Sequence, residues 1–157
     1  NAVKCLQAGA DAVKLEGGRG RAEAVRAIVG AGIPLMGHLG MLPQSVREEG
    51  GYRIKGRSDA ERERLLTDAA FLEAQGAFSV VLELVTPPVA EEITRTLRIP
   101  TIGIGSGPGC DGQVLVVNDL VGSFPWFRPK FARARADVAA EIRGAVRAFV
   151  EEVRGAS

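Results

Sequence analysis

Two stretches of this chain are built alike. Gly9-Ala-Asp-Ala-Val-Lys-Leu-Glu16 and Gly76-Ala-Phe-Ser-Val-Val-Leu-Glu83 each run from a glycine through a short apolar segment to a glutamate. A third stretch, Gly32-Ile-Pro-Leu-Met-Gly-His38, has the same layout and ends on the only histidine of the chain. Each follows a helical pattern. A glycine that punctuates a helix, followed by an apolar run that stops at a polar side chain, reads as a strand entered from a helix. Ile99-Pro-Thr-Ile-Gly-Ile104 supplies a fourth strand and Gln113-Val-Leu-Val-Val117 a fifth.

The segments between them are helical by period. Residues 21–29 place Ala24, Val25, Ile28 and Val29 on one face. Residues 59–75 present Leu65, Leu66, Ala69, Leu72 and Glu73, with Asp59 as the N-cap signal after Ser58. Residues 88–97 form a third helix with proline near its first turn. A helix after each strand returns the chain for a further parallel strand, so the class is α/β. Continuous apolar strands predict burial on both faces.

Such an alternation builds either a doubly wound sheet or a barrel. The doubly wound reading would lean on Gly103-Ile-Gly-Ser-Gly-Pro-Gly109, but the spacing is not G-x-G-x-x-G and a proline stands where the helix should open. The barrel is favoured because every polar candidate ends a strand, the face on which barrel active sites are built. A complete (β/α)8 barrel takes about 250 residues and eight strands, so with five candidates roughly the first three strands are expected to be absent. The chain opens on Asn-Ala-Val-Lys-Cys-Leu-Gln, a mid-helix pattern without an initiator Met, and further sequence is expected upstream. Residues 1–157 read as a single domain, whose last element is an amphipathic helix over 137–153 that closes the fold or docks on a neighbour.

The charge balance narrows the partners. Twenty Lys and Arg against 19 Asp and Glu give a formal net charge of +1, with the densest runs interleaved, as in Asp59-Ala-Glu-Arg-Glu-Arg64. That excludes the basic footprint of a nucleic-acid or acidic-membrane binder. Cys5 and Cys110 fit no metal-ligand spacing and read as free thiols in a reducing, cytoplasmic setting. No apolar run approaches a membrane span.

The strand ends carry the chemistry. Lys14 and Glu16, two apart on a strand, share one face. A carboxylate there suits a hard cation such as Mg2+, and the ammonium beside it suits an anionic substrate; a buried ion pair without catalytic role is the alternative. Glu83 stands amid apolar sequence, where an ionised carboxylate needs a partner. Burial of that kind makes a carboxylate a base for a weakly acidic C–H, unless the side chain simply faces solvent. His38 is either a structural hydrogen bonder or a catalytic contact. Ser106 lies in I-G-S-G-P, not in a G-x-S-x-G nucleophile turn. Residues 39–58 form a connection long enough for a lid or an oligomer contact.

Taken in order, Lys14-Leu-Glu-Gly-Gly18, Gly37-His-Leu-Gly-Met-Leu-Pro-Gln-Ser-Val46, Gly50-Gly-Tyr-Arg-Ile-Lys-Gly-Arg57, Leu82-Glu83, Ile102-Gly-Ile-Gly-Ser-Gly107 and Asp111-Gly-Gln-Val-Leu-Val116 closely resemble the ketopantoate hydroxymethyltransferase family. The likeness runs through Pro129-Lys-Phe131 and leaves only the terminal helix unspecific. The resemblance implies a (β/α)8 TIM barrel of the phosphoenolpyruvate/pyruvate type, assembled into a homo-oligomer, commonly a decamer. It implies transfer of a one-carbon unit from 5,10-methylenetetrahydrofolate to 3-methyl-2-oxobutanoate, giving 2-dehydropantoate for pantothenate synthesis. By the same resemblance Glu16 belongs to the Mg2+ site, Lys14 binds the keto acid, Glu83 is the proton acceptor, and His38 lines the pocket. The family carries two further metal-site Asp residues on more N-terminal strands, and nothing in this chain replaces them. Met41-Leu42 and Ser106 are local departures. Two rival readings are a lyase or mutase of the same barrel superfamily, whose catalytic Cys loop is missing here, and a non-catalytic assembly piece.

Overall fold

The computed structural model describes residues 1–45, 50–127 and 129–156, and its contacts divide the chain into two compact units, Asn1–Val114 and Leu115–Ser157. The first unit opens on helix α1 (Ala2–Gln7) and then alternates: β1 (Val13–Glu16), α2 (Ala22–Gly30), β2 (Leu35–Gly40), α3 (Asp59–Ala74), β3 (Ser79–Glu83), α4 (Pro87–Thr96), β4 (Thr101–Ile104) and β5 (Gly112–Gln113).

The recurring glycine has one structural cause. Gly9, Gly32 and Gly76 take φ of 98°, 72° and 96°, the left-handed region that glycine enters without a Cβ penalty. Their N–H groups bond back to Leu6, Val29 and Glu73, and those of the following Ala10, Ile33 and Ala77 to Cys5, Ile28 and Leu72. This pair of bonds is the Schellman motif, which satisfies the last carbonyls of a helix and turns the chain out of it. α1, α2 and α3 all end this way, and the strand follows within a few residues each time.

The five strands form one parallel sheet in the order β1-β2-β3-β4-β5. A doubly wound sheet reverses its strand order at a switch point; this order runs in one direction only, as in the winding of a barrel wall. Register aligns Glu16 with His38, His38 with Val81, and Gly40 with Glu83. Lys14, Glu16, Met36, His38, Val81, Glu83, Ile102 and Ile104 therefore share one face.

The opposite face is the core. Leu35, Leu39, Val80 and Leu82 pack with Val25 of α2, with Leu65, Ala69 and Leu72 of α3, and with Val89, Ala90 and Ile93 of α4. Burying each large side chain contributes roughly 1.5–3 kcal/mol. Gly37 lets α3 approach: a Cβ there would stand 2.6 Å from Leu72 Cδ1. The strands are thus not buried alike on both faces, as their apolar runs suggested. Met36, Ile102 and Ile104, on the polar face, are only half-buried.

Two of the differences from expectation have a visible cause. Ser58, not Asp59, is the N-cap of α3, its hydroxyl accepting from the Glu61 N–H. β5 covers only Gly112–Gln113 rather than reaching Val117. Asp111 fastens the segment to β4 by accepting from the Thr101 N–H (2.8 Å) and hydroxyl (3.1 Å), and one more bond joins the Val114 N–H to Gly103. Beyond it, Val116 is exposed and caps the next helix, so the valines have no sheet face to cover.

The second unit holds α5 (Val117–Val121), which ends at left-handed Gly122, and α6 (Val138–Gly155), the helix expected from residue 137. Asp137 caps α6 by accepting from the Ala140 N–H. Ile142, Val146, Phe149 and Val153 on its apolar side are exposed. Among the described residues no helix is long and apolar enough to cross a membrane.

Candidate active site

Glu83 is the last residue of β3, and the chain bends sharply after it. Leu84 has φ of 49°, the one positive φ among the described non-glycine residues. That conformation costs a residue with a Cβ roughly 1–2 kcal/mol and persists only where its surroundings hold it. Here the Leu84 N–H donates to Ile104 (2.9 Å), its carbonyl accepts from the Lys55 N–H (2.8 Å), and the Glu83 carbonyl accepts from the Met41 N–H (2.8 Å). Buried Ser106 completes the clamp, donating to the Leu82 carbonyl (2.8 Å) and accepting from the Val85 N–H (3.0 Å). Its hydroxyl is used as a brace, which agrees with the absence of a nucleophile turn in its sequence.

The side chains converge on the polar face. Lys14 Nζ lies 3.0 Å from His38 Nδ1, and His38 Nε2 lies 3.1 Å from Glu83 Oε2. His38 is 2% exposed and the Glu83 side chain 14%. The Nε2–Glu83 distance is within ion-pair range, yet Nε2 has no hydrogen bond, so the carboxylate oxygen lies off the N–H direction. Of the residues singled out in the sequence, Lys14, His38 and Glu83 thus form one continuous chain of contacts. Glu16 sits on the same face, level with His38, and its carboxylate accepts from the Gln44 N–H at 3.3 Å.

The donor set admits one protein ligand for a hard cation. Mg2+ is usually held by one or two carboxylates, with substrate and water oxygens completing six. Glu16, with its half-buried strand-end carboxylate, fits one of those places. Among the described residues no group of three or more His, Cys, Asp or Glu stands together to hold a metal alone.

The connection expected to form a lid is anchored at its C-terminal end. Lys55 forms a parallel bridge with Val85, Thr86 Oγ1 donates to the Gly56 carbonyl, and the Gly56 and Arg57 N–H groups donate to Glu61. The Arg57 N–H, foremost among these, holds the Glu61 carboxyl below its usual range. Residues 46–49 of that connection lie outside the described residues. Sequence reasoning passed over Leu84, Ser106 and Lys55 as supports of Glu83. The small polar residue within Gly105-Ser-Gly107 was the available signal for one of them; positive φ at a leucine leaves no signal in the sequence.

The whole chain, residues 1–157, matches the model of the family described as ketopantoate hydroxymethyltransferase. It is 55% identical over 155 residues to a 3-methyl-2-oxobutanoate hydroxymethyltransferase of Syntrophus aciditrophicus, covering 98% of this chain and 57% of that protein. It is 54% identical over 153 residues to the enzyme of that name from Cenarchaeum symbiosum, covering 98% and 58%. With the Chlorobium luteolum enzyme of that name it shares 56% over 144 residues, covering 92% and 52%. The chain therefore spans little more than half the length of these relatives.

Proposed function

This chain belongs to the ketopantoate hydroxymethyltransferase family, and from that premise we propose that the protein transfers a hydroxymethyl group from 5,10-methylenetetrahydrofolate to 3-methyl-2-oxobutanoate, giving 2-dehydropantoate. The observation that supports this reading best is the contact chain Lys14–His38–Glu83 beside Glu16 on one sheet face.

Lys14 pairs with the anionic keto acid and orients it over the strand ends. Glu83, half-buried at the end of β3, takes the C3 proton at its carboxylate. The carbanion equivalent attacks the methylene carbon of 5,10-methylenetetrahydrofolate as one C–N bond to that carbon breaks. Water then replaces the remaining nitrogen, leaving the hydroxymethyl group on the keto acid and releasing tetrahydrofolate. Glu16 would supply a ligand for Mg2+, which when bound provides positive charge at the substrate's keto and carboxylate oxygens. An unaided carboxylate, with a reference pKa of about 4.3, is a weak base for such a proton, so the cationic surroundings and the base act together. The five parallel strands are part of a (β/α)8 barrel of the phosphoenolpyruvate/pyruvate type, with roughly three more strands completing it. The protein works in the cytoplasm as a homo-oligomer, a decamer by family likeness.

The test is product formation by the complete protein from keto acid, methylenetetrahydrofolate and Mg2+. Appearance of 2-dehydropantoate supports the proposal. Its absence, with C–C cleavage of an isocitrate-like acid instead, assigns the chain to the lyase chemistry of the wider barrel group. Among the described residues no group of three or more His, Cys, Asp or Glu stands together to hold a metal, which favours one second reading, an assembly piece without turnover. Failure of this 157-residue chain to bind Mg2+ specifically in a titration would favour it.

A further inference from the structure

We infer that His38 is the positioning residue for Glu83, locked by Lys14 into the tautomer that presents Nε2–H to the Glu83 carboxylate; the second half of this inference rests on the base role proposed above. A lysine ammonium has three donors and no acceptor, so its 3.0 Å contact with Nδ1 requires the lone pair of that nitrogen. The ring proton then sits on Nε2. The other tautomer would set an N–H against the ammonium on one side and a lone pair against the carboxylate on the other. Both contacts would be repulsive.

His38 is 2% exposed, so Nε2–H has no bulk water to turn to, and it is the one buried side-chain N or O atom without a hydrogen bond among the described residues. An unpaired buried N–H is costly, and the acceptor in reach is Glu83 Oε2 at 3.1 Å. The terminal torsion of a glutamate is soft, so a small turn of the carboxylate aligns it with the N–H. Dependence therefore runs in one direction: Lys14 sets His38, and His38 sets Glu83.

One histidine in the chain makes the test clean, since its nitrogen-15-labelled ring needs no assignment. The Nε2–H tautomer is expected to dominate the spectrum and to survive Glu83→Gln. Lys14→Met, which keeps a long side chain but removes the donor, is expected to admit the Nδ1–H form. A dominant Nδ1–H form in the parent chain, or a ring unchanged by Lys14→Met, would overturn the inference. This reading needs no substrate, folate or metal, so it can fail or hold independently of the proposed transfer. The positioning half is read from deuterium wash-in at C3 of the keto acid. His38→Leu is expected to lower kcat for exchange roughly a hundredfold, with a smaller effect on KM. His38→Gln, whose amide also presents an N–H, is expected to restore part of the loss. Equal loss in both variants, or a change confined to KM, would remove His38 from this role.

Discussion

Gly40 lies against the backbone carbonyl of Glu83 with no room between them for a β-carbon. The glycine also has φ of 97°, so two independent reasons exclude a larger residue. Gly40→Ala is expected to cost about 2–4 kcal/mol of unfolding free energy, from left-handed strain and overpacking together. Urea denaturation checks it. A variant within about 0.5 kcal/mol of the parent would mean the two strand ends separate easily.

The start of α3 carries a pH-dependent contribution. Ser58 caps the helix, while Glu61 reaches back to the N–H groups of Gly56 and Arg57. The Arg57 bond leads in holding the Glu61 carboxyl below 4.5. A depressed folded value means the stabilisation is complete above the unfolded carboxylate range and is lost as pH falls through the folded value. Glu61→Ala is expected to lose roughly 0.5 kcal/mol at neutral pH, since solvent screens the carboxylate. In acid the two proteins should converge as the parent loses the same contribution. Thermal melts across pH check this, and a deficit that stays constant into acid would contradict it.

The two thiols should differ in reactivity. Cys5 is exposed, whereas Cys110 is half-buried and burial pushes its thiol above 9.0. Only the thiolate reacts, so Cys110 holds less of the reactive form at pH 8. Iodoacetamide followed by peptide mass mapping is expected to label Cys5 first, with Cys110 catching up only in more alkaline solution. Equal rates at pH 8 would show that Cys110 is reached by solvent.

Much of this arrangement was legible from single residues. Gly9, Gly32 and Gly76 announce helix ends because a Schellman turn needs left-handed backbone, and the polar residue closing each apolar run falls at or near a strand end. The i, i+2 spacing of Lys14 and Glu16 settles their common face. What single residues do not carry is register. The Lys14–His38 contact spans 24 positions and exists because Glu16 aligns with His38. Val114-Leu-Val116 looks like a strand but leaves the sheet after one further bond, since pairing to β4, not apolarity, decides where β5 stops. The bend at Leu84 is likewise imposed by backbone bonds to Ile104 and Lys55, which its own side chain does not foretell.

The central claim is that Glu83 takes a proton from carbon at a site shared with Lys14 and His38. Deuterium wash-in at C3 of 3-methyl-2-oxobutanoate, catalysed by the complete protein with Mg2+, tests it most directly. Exchange in the parent and a fall of roughly 10²–10⁴-fold in Glu83→Gln is the expected result. Exchange at the parent rate in Glu83→Gln would contradict it.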